Sequence, residues 1–393
     1  MKSRDIICMA LPTWEGDYMK TIVQICEQLA GRHRVLYVEY PFTKKDYWMS
    51  RLGRGKAPVE RLSSRKKALR KVVTSSGNSL HVLTLPPVWP SRWLDDPNWF
   101  DRLQRREAEK AGAAVRDAAG QLGFRDPLVI NAFNPLFGLP LLGRLGESRS
   151  LYYCYDEIGA AEWLSKHGLR YETEFIRQVD AVVTSSPALL ERKQRLQPQS
   201  YLVRNGVNFG LFNRGFRPEA PQGSRPQIAY LGSVDDRLDW GLLKGLARRM
   251  PEVDFVFTGR IQKNASPELL KGFPNVKLQG ACPPEQLPSV LAQSAAGIIP
   301  FRKNRFTENI YPLKINEYLA AGLPVVMTGF APLEEFAEVA TVADDAPSFA
   351  QALEVALHAD SLQRRLARTE FARANSWEAR AQELETLIER LYA

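Results

Sequence analysis

The alternation of two kinds of hydrophobic pattern constrains this chain more than any other feature. Short apolar runs rich in β-branched and aromatic residues recur at 6–11, 35–40, 80–85, 128–132, 151–155 and 181–185. They recur again at 228–231, 254–258, 276–278, 296–300, 324–328 and 339–343, with helical patterns between most of them. Strands alternating with helices read as parallel sheets covered by helices on both faces. The segment 18–29 is a clear case, placing Ile22, Ile25, Cys26 and Leu29 on one face before Gly31 stops the helix.

The alternation restarts after Asn205-Gly206-Val207, and 393 residues exceed one ordinary core. Two doubly wound domains are expected, at 1–207 and 227–374, joined by a linker at 208–226 rich in Pro, Gly, Arg and Asn. A terminal helix is expected over 375–393, with Asn375 as N-cap and Glu378 at the capping-box spacing.

The apolar run 6–11 follows Asp5 and ends at Pro12, so it reads as a buried first strand and not as a secretory leader. No stretch approaches the roughly 20 apolar residues of a membrane span. Cys8, Cys26, Cys154 and Cys282 show no paired spacing, so neither zinc nor a disulfide framework is indicated and a cytoplasmic setting is expected.

The formal charge of +9 is concentrated, since 44–71 holds eleven Lys or Arg against Asp46 and Glu60. Tyr47, Trp48 and Met49 lie within that run, and Trp89, Trp93, Trp99 and Phe100 follow it. Cations mixed with aromatic residues suit an anionic membrane or acceptor surface, with Trp48, Arg61, Arg65, Lys66 and Lys67 as its candidates at the inner face of the cell membrane. A solvated loop is the alternative. No recognised nucleic-acid motif accompanies the charge, so nucleic acid is not expected as a partner.

In open parallel sheets ligands bind beyond the carboxyl ends of strands. The block 306–326 reads there as loop, helix, stop and strand. Pro312 suits the first helical position, and Gly322 ends the helix before Pro324 opens a strand. The free N–H groups and dipole of that helix start suit a diphosphate; Lys314 adds a full charge, and Glu317 lies near the same face for ribose hydroxyls. The alternative is an exposed Lys314–Glu317 pair worth under about 1 kcal/mol.

This block resembles the donor-binding motif of the family 4 glycosyltransferases, through Pro312 to Lys314, Glu317 to Gly322 and Pro324 to Val326. Asn205-Gly206-Val207, Tyr230-Leu231-Gly232-Ser233, Thr184-Ser185-Ser186-Pro187 and Ser376-Trp377-Glu378 are similar to further parts of that family. The resemblance spans most of the chain and is dense from about Ser185 onward. It implies an α/β chain of GT-B fold, two doubly wound Rossmann-like domains facing across a cleft. It also implies a nucleotide-sugar donor, UDP- or GDP-linked, and a glycan or lipid-linked acceptor.

The family often carries a second glutamate eight residues before the first, where this chain has Asn309 beside Glu308. Glu308, Asn309 and Thr307 are therefore the candidates for donor-sugar contact, with Thr307 also placed among the donor-binding residues. Arg260 is the phosphate-side candidate in place of the family's Arg and Lys, or else an exposed loop arginine. Gly16, after the first strand, would let the donor approach the backbone; the alternative is a turn with Asp17 capping the helix.

Asp156 follows the strand at 151–155 and is the candidate base that takes the proton of an attacking sugar hydroxyl. Inverting bacterial exopolysaccharide glycosyltransferases, such as the xanthan glucuronosyltransferase family, resemble this segment, although Asp156 could merely cap a turn. The stereochemical outcome stays open between inversion and retention. Asp235, Asp236 and Asp239 read as caps of the following helix and not as metal ligands, so no metal is expected. The expected function is a glycosyltransferase of bacterial surface polysaccharide assembly; the alternatives are a nucleotide-sugar epimerase and an inactive scaffold on the same fold.

Overall fold

The computed structural model describes residues 2–16, 20–160, 162–219, 221 and 225–393, without the side chains of 65, 66, 160 and 162–165. It divides into two compact units, Met1–Arg204 with Ala381–Ala393, and Asn205–Arg380.

The first unit is built on β1 (Asp5–Ala10), β2 (Arg34–Val38), β3 (Leu69–Val73), β4 (Ser79–Leu83), β5 (Leu128–Ala132), β6 (Arg149–Cys154), β7 (Ala181–Thr184) and β8 (Ser200–Leu202). Among the described residues these form one sheet in the order β3-β4-β2-β1-β5-β6-β7-β8, parallel except for β3 against β4. The order reverses between β1 and β5, which makes that point the natural ligand crevice of the unit.

The central strands are buried almost throughout because helices cover the sheet. The longest helix, Pro97–Gln121, starts at the N-cap Asp96 and turns Phe100, Ala108, Ala111, Val115 and Ala118 inward. Two strands escaped the sequence reading. β3 lies inside the basic segment, and β8 has only three residues.

The basic segment forms helices Lys44–Arg51, Val59–Ser63 and Arg65–Ala68 followed by β3 and is not a loop, although neither of the first two helices buries a residue. The first covering helix is Thr21–Leu29, and the proposed cap Asp17 lies outside the described residues.

The second unit is a six-stranded parallel sheet among the described residues: β9 (Gln227–Leu231), β10 (Asp254–Thr258), β11 (Val276–Gly280), β12 (Ala296–Ile299), β13 (Val325–Met327) and β14 (Ala340–Val342). Its order, β11-β10-β9-β12-β13-β14, is the doubly wound order with the switch between β9 and β12.

Residues 209–215, read as linker, instead form short helical turns packed in this unit, with Asn213 Nδ2 donating 2.9 Å to Ala320 O. Asn205-Gly206-Val207 meets Ser376-Trp377, where a Cβ on Gly206 would lie 2.9 Å from Trp377 N and Val207 bridges Ser376. Two stretches far apart in sequence are thus one packing motif.

The last helix is Trp377–Tyr392, and Ser376, not Asn375, caps it by accepting from Ala379 N at 3.3 Å. Asn375 closes the preceding helix Leu362–Ala374. Residues from Ala381 onward belong to the first unit, where Glu385 accepts from Arg32 Nη1 at 2.6 Å and Tyr392 lies under the Arg4 guanidinium, 3.6 Å from the ring centre. No helix among the described residues is long and apolar enough to cross a membrane.

Candidate functional site

At the β9/β12 switch the helix Leu313–Ala320 is anchored by its own tyrosine. Tyr318 Oη accepts from Leu231 N of β9 at 2.8 Å and donates to Ile298 O of β12 at 3.3 Å. Its ring fits because β12 has glycine at 297, where a Cβ would stand 2.5 Å from the ring. Gly322, with φ +77°, then ends the helix, and Leu323 N donates back to Tyr318 O at 3.0 Å. Pro312 is the N-cap position and not the first helical residue, so the helix starts one residue later than expected.

The first turn of this helix carries Lys314. Its Nζ donates to Tyr230 Oη at 3.3 Å and lies 4.6 Å and 4.5 Å from the Tyr230 and Phe301 ring centres. Lys314 and Glu317 are both buried, which excludes the exposed-pair alternative, and no ion pair within 4.0 Å joins them among the described residues. Burial pushes the ammonium down to about 7, helped by the Arg237 charge and opposed by Glu317 and Asp235. Burial also pushes the Glu317 carboxyl up to about 7, against the pull of Lys314. Buried groups of opposite sign, each shifted towards neutrality beside a helix start, make this a candidate site for a charged ligand.

The loop after β9 completes the surroundings. Gly232, at φ +120°, leaves room for Lys314, whose Nζ is 3.2 Å from where a Cβ would sit. Gly259 crosses it so closely that a Cβ there would lie 1.9 Å from Gly232 O. Arg237, which the sequence reading did not select, is oriented by Asp235 through bonds of 2.8 Å and 2.6 Å and sits 5.4 Å from the Phe301 ring centre. Asp239 caps the helix Trp240–Arg249 through Leu242 N, 2.9 Å. No cluster of three or more potential metal ligands occurs among the described residues.

Other predicted donor residues fall elsewhere. Arg260 is exposed, and its carbonyl accepts from Val234 N at 2.9 Å. Thr307 is fully buried, and its hydroxyl donates to Arg302 O at 2.5 Å and accepts from Asn304 N at 3.1 Å. That hydroxyl holds the loop together, so a donor-binding role for it gives way to a structural one. Asn309 is buried and donates to Arg305 O at 2.6 Å, while its Oδ1 has no partner. Glu308 beside it is partly exposed.

In the first unit, Gly16 makes room for Lys20, whose Nζ would lie 2.7 Å from a Cβ there. Lys20 Nζ donates to Thr13 O at 2.5 Å and Glu15 O at 2.6 Å, so the loop folds around its ammonium. Asp156 is exposed just beyond β6, with Oδ1 accepting from Glu157 N at 3.0 Å, while Glu157 is held by Arg192 at 3.1 Å. Behind them Glu172 is buried with Lys193 at 2.8 Å and Tyr152 Oη at 2.8 Å.

Of the surface candidates, Trp48 is 56% exposed, Arg61 is paired with Glu15 at 3.0 Å, and Lys67 with Glu60 at 2.8 Å. The side chains of Arg65 and Lys66 lie outside the described residues. The signal that could have found Tyr230, Phe301 and Arg237 is their common place, just inside or beyond the carboxyl ends of β9 and β12.

The sequence model of the family described as Glycosyl transferases group 1 matches residues 225–359, the part that holds this site. A protein of Bacillus subtilis (strain 168), TuaH, named as a candidate teichuronic acid biosynthesis glycosyltransferase, is 27% identical over 214 residues; the match spans 49% of this chain and 53% of that protein. Among solved structures, Anabaena HepE in complex with UDP and glucose is similar with a TM-score of 0.61, 12% identity and coverage of 98% and 99% of the two chains. A trehalose-6-phosphate structure from E. coli bound with UDP-2-fluoro glucose is similar with a TM-score of 0.65, 11% identity and 99% coverage of each chain. With the doubly wound order of each unit, the likeness to these solved structures shows the GT-B fold, and residues 225–359, which hold the anchored helix at the second switch point, are similar to the glycosyl transferases group 1 family.

Proposed function

We propose that this chain transfers a sugar from a nucleoside diphosphate sugar, UDP- or GDP-linked, to a glycan or lipid-linked acceptor in bacterial surface polysaccharide assembly. The observation that carries the reading is the buried Lys314–Glu317 pair at the start of the helix Leu313–Ala320. The helix start, Lys314 and Arg237 supply positive charge for the diphosphate, and Glu317 accepts from the ribose hydroxyls. That charge is in place without a metal, and we propose a metal-independent reaction.

In the reaction the acceptor hydroxyl oxygen bonds to the anomeric carbon, and the bond from that carbon to the diphosphate oxygen breaks. The electron pair leaves with the diphosphate. Asp156 takes the hydroxyl proton in this reading, which makes inversion the matching outcome. TuaH's assignment to teichuronic acid supports a surface polysaccharide as product. Work at the inner face of the cell membrane is supported by the exposed Trp48, Trp89, Trp93 and Trp99.

The test is a thermal-shift series with UDP, GDP, ADP, CMP and dTDP, followed by turnover assays with the matching nucleotide sugar. One nucleotide should raise the melting temperature of the wild type, and Lys314→Ala and Glu317→Ala should abolish the shift. Asp156→Asn should keep the shift and lose at least a hundredfold in kcat. A folded wild type that no nucleotide stabilises would remove the transferase reading; full activity in Asp156→Asn would remove only the base.

A further inference from the structure

The first unit holds a cavity of about 390 Å³ that none of the donor chemistry uses. It lies beyond the carboxyl ends of β4 and β2 and, across β1, of β5, lined by Tyr40 after β2, Val88 and Trp89 after β4, and Leu136 and Phe137 after β5. Phe100 from the helix Pro97–Gln121 closes it. Carboxyl ends are where open sheets take ligands, and the volume falls in the range of roughly 300–1,000 Å³ typical of ligand pockets.

The turn that brings in Leu136 and Phe137 is strained. Phe133 holds φ +56°, a conformation costly for a bulky residue, and Asn131 braces it by accepting from Asn134 N and donating to Asn134 O, both at 3.0 Å. Strain of this kind persists where the fold over-determines a functional wall.

The occupant follows from the lining. The buried polar side chains there are already bonded to protein: Gln104 Nε2 to Leu136 O at 2.9 Å, Glu107 to Trp89 N at 3.3 Å and Lys110 at 2.7 Å, and His167 Nε2 with Leu94 O at 2.9 Å. A sugar ring would need several such groups; a hydrocarbon chain needs none. Lys45 and Arg92 stand at the lining with Asp46, which is held by Thr43, while Lys166 is paired with Asp95.

Trp89 of the lining has Lys44 4.1 Å from its ring centre, and elsewhere in the same unit the exposed Trp48 and Trp99 have Arg51 at 5.5 Å and Arg102 at 5.2 Å. Apolar rings at the surface with cations beside them fit the boundary between hydrocarbon and lipid phosphate.

We propose that this cavity takes the hydrocarbon chain of a membrane lipid phosphate, with the phosphate at the rim by Lys45 and Arg92. This rests on the sugar-transfer reading in one respect: it names the lipid part of the acceptor. The chain binds between Tyr40, Trp89, Phe100 and Phe137, and the head stays in water beside the cations.

The experiment is calorimetric titration of the full chain with octyl phosphate, dodecyl phosphate, dodecyl maltoside and inorganic phosphate, each below its micelle concentration. Each methylene buried adds up to about fourfold to affinity. Dodecyl phosphate should therefore bind at least tenfold tighter than octyl phosphate, and inorganic phosphate should show no saturable binding.

Ser91→Trp, which plugs the cavity from its partly exposed lining, should erase the chain-length gain. Arg92→Ala, at an exposed rim position, should weaken dodecyl phosphate at least fivefold and leave dodecyl maltoside unchanged. Should Ser91→Trp fail to fold, the Arg92→Ala comparison and the chain-length series in wild type decide alone. Equal affinity for both chain lengths, an unchanged gain in a folded Ser91→Trp, or displacement of dodecyl phosphate by a free neutral oligosaccharide would overturn the proposal, the last by making the cavity a glycan site. Nucleotide stabilisation is measured separately, so a chain that binds alkyl phosphate but no nucleotide would refute sugar transfer and leave the cavity's ligand standing.

Discussion

Raising the pH from 7 to 9 should weaken nucleotide binding steeply, because the cation that meets the diphosphate is held near neutrality by burial. Lys314 is lowered to about 7 in the free protein, chiefly by burial and next by Arg237. A bound diphosphate restores the charge, so binding above pH 7 must bring in a proton. Half of Lys314 is protonated beforehand at pH 7 and about one in ten at pH 8, so from this group the apparent affinity falls about fivefold over that step, or about 1 kcal/mol, and about fiftyfold by pH 9.

Glu317 has the opposite sign. Its carboxyl is raised to about 7, so ionising it to accept ribose hydroxyls releases a proton below that pH, and affinity should also decline on the acid side. An optimum near pH 7 is the combined result. Calorimetry with the stabilising nucleotide at pH 8, in buffers of different ionisation enthalpy, should report uptake of about 0.9 proton. Lys314→Met should bind weakly with no uptake. Wild-type affinity that is flat from pH 7 to 9, with a buffer-independent enthalpy, would refute the argument.

Two further outcomes test the framework around the site. Gly259→Ala places a methyl 1.9 Å from Gly232 O, backbone against backbone, and should cost at least about 2 kcal/mol in urea denaturation; a neutral result would mean that the two loops do not cross as described. Lys193→Met strands Glu172 in the core of the first unit, where the two are 2.8 Å apart, and should cost about 3–5 kcal/mol. The double variant with Glu172→Leu should regain most of that loss, and failure to do so in the same denaturation assay would show that the pair is needed for packing.

Much of the fold was legible because its signal is local. A buried parallel strand must be a short apolar run, and its covering helix must show one apolar face, so twelve of the fourteen strands among the described residues stand out in the sequence. The misses have local causes too. β3 is an antiparallel edge strand with Arg70 and Lys71 in it, and β8 is three residues long. The cap of the last helix slipped by one residue because Asn375 and Ser376 both suit an N-cap by type, and only the bond to Ala379 N chooses between them.

The candidate site divides in the same way. Lys314 and Glu317 were legible because one helix turn fixes their spacing, and its start and stop are written in Pro312 and Gly322. That their charges are buried and pushed towards neutrality was not legible, since the rings against Lys314 come from Tyr230 on β9 and Phe301 just beyond β12. Thr307 looked available as a donor contact until the loop closed on its hydroxyl. Arg237 gained its place through Asp235 and the ring of Phe301, and the cavity of the first unit needed side chains from 40, 89, 100 and 137 to meet. The sequence by itself determined the alternation, the two sheets and the helix Leu313–Ala320, because hydrogen bonding and hydrophobic period act between near neighbours. Only the tertiary structure decided which polar groups stay buried, which charges are altered and where a cavity opens, because desolvation and shape depend on residues that meet across the fold.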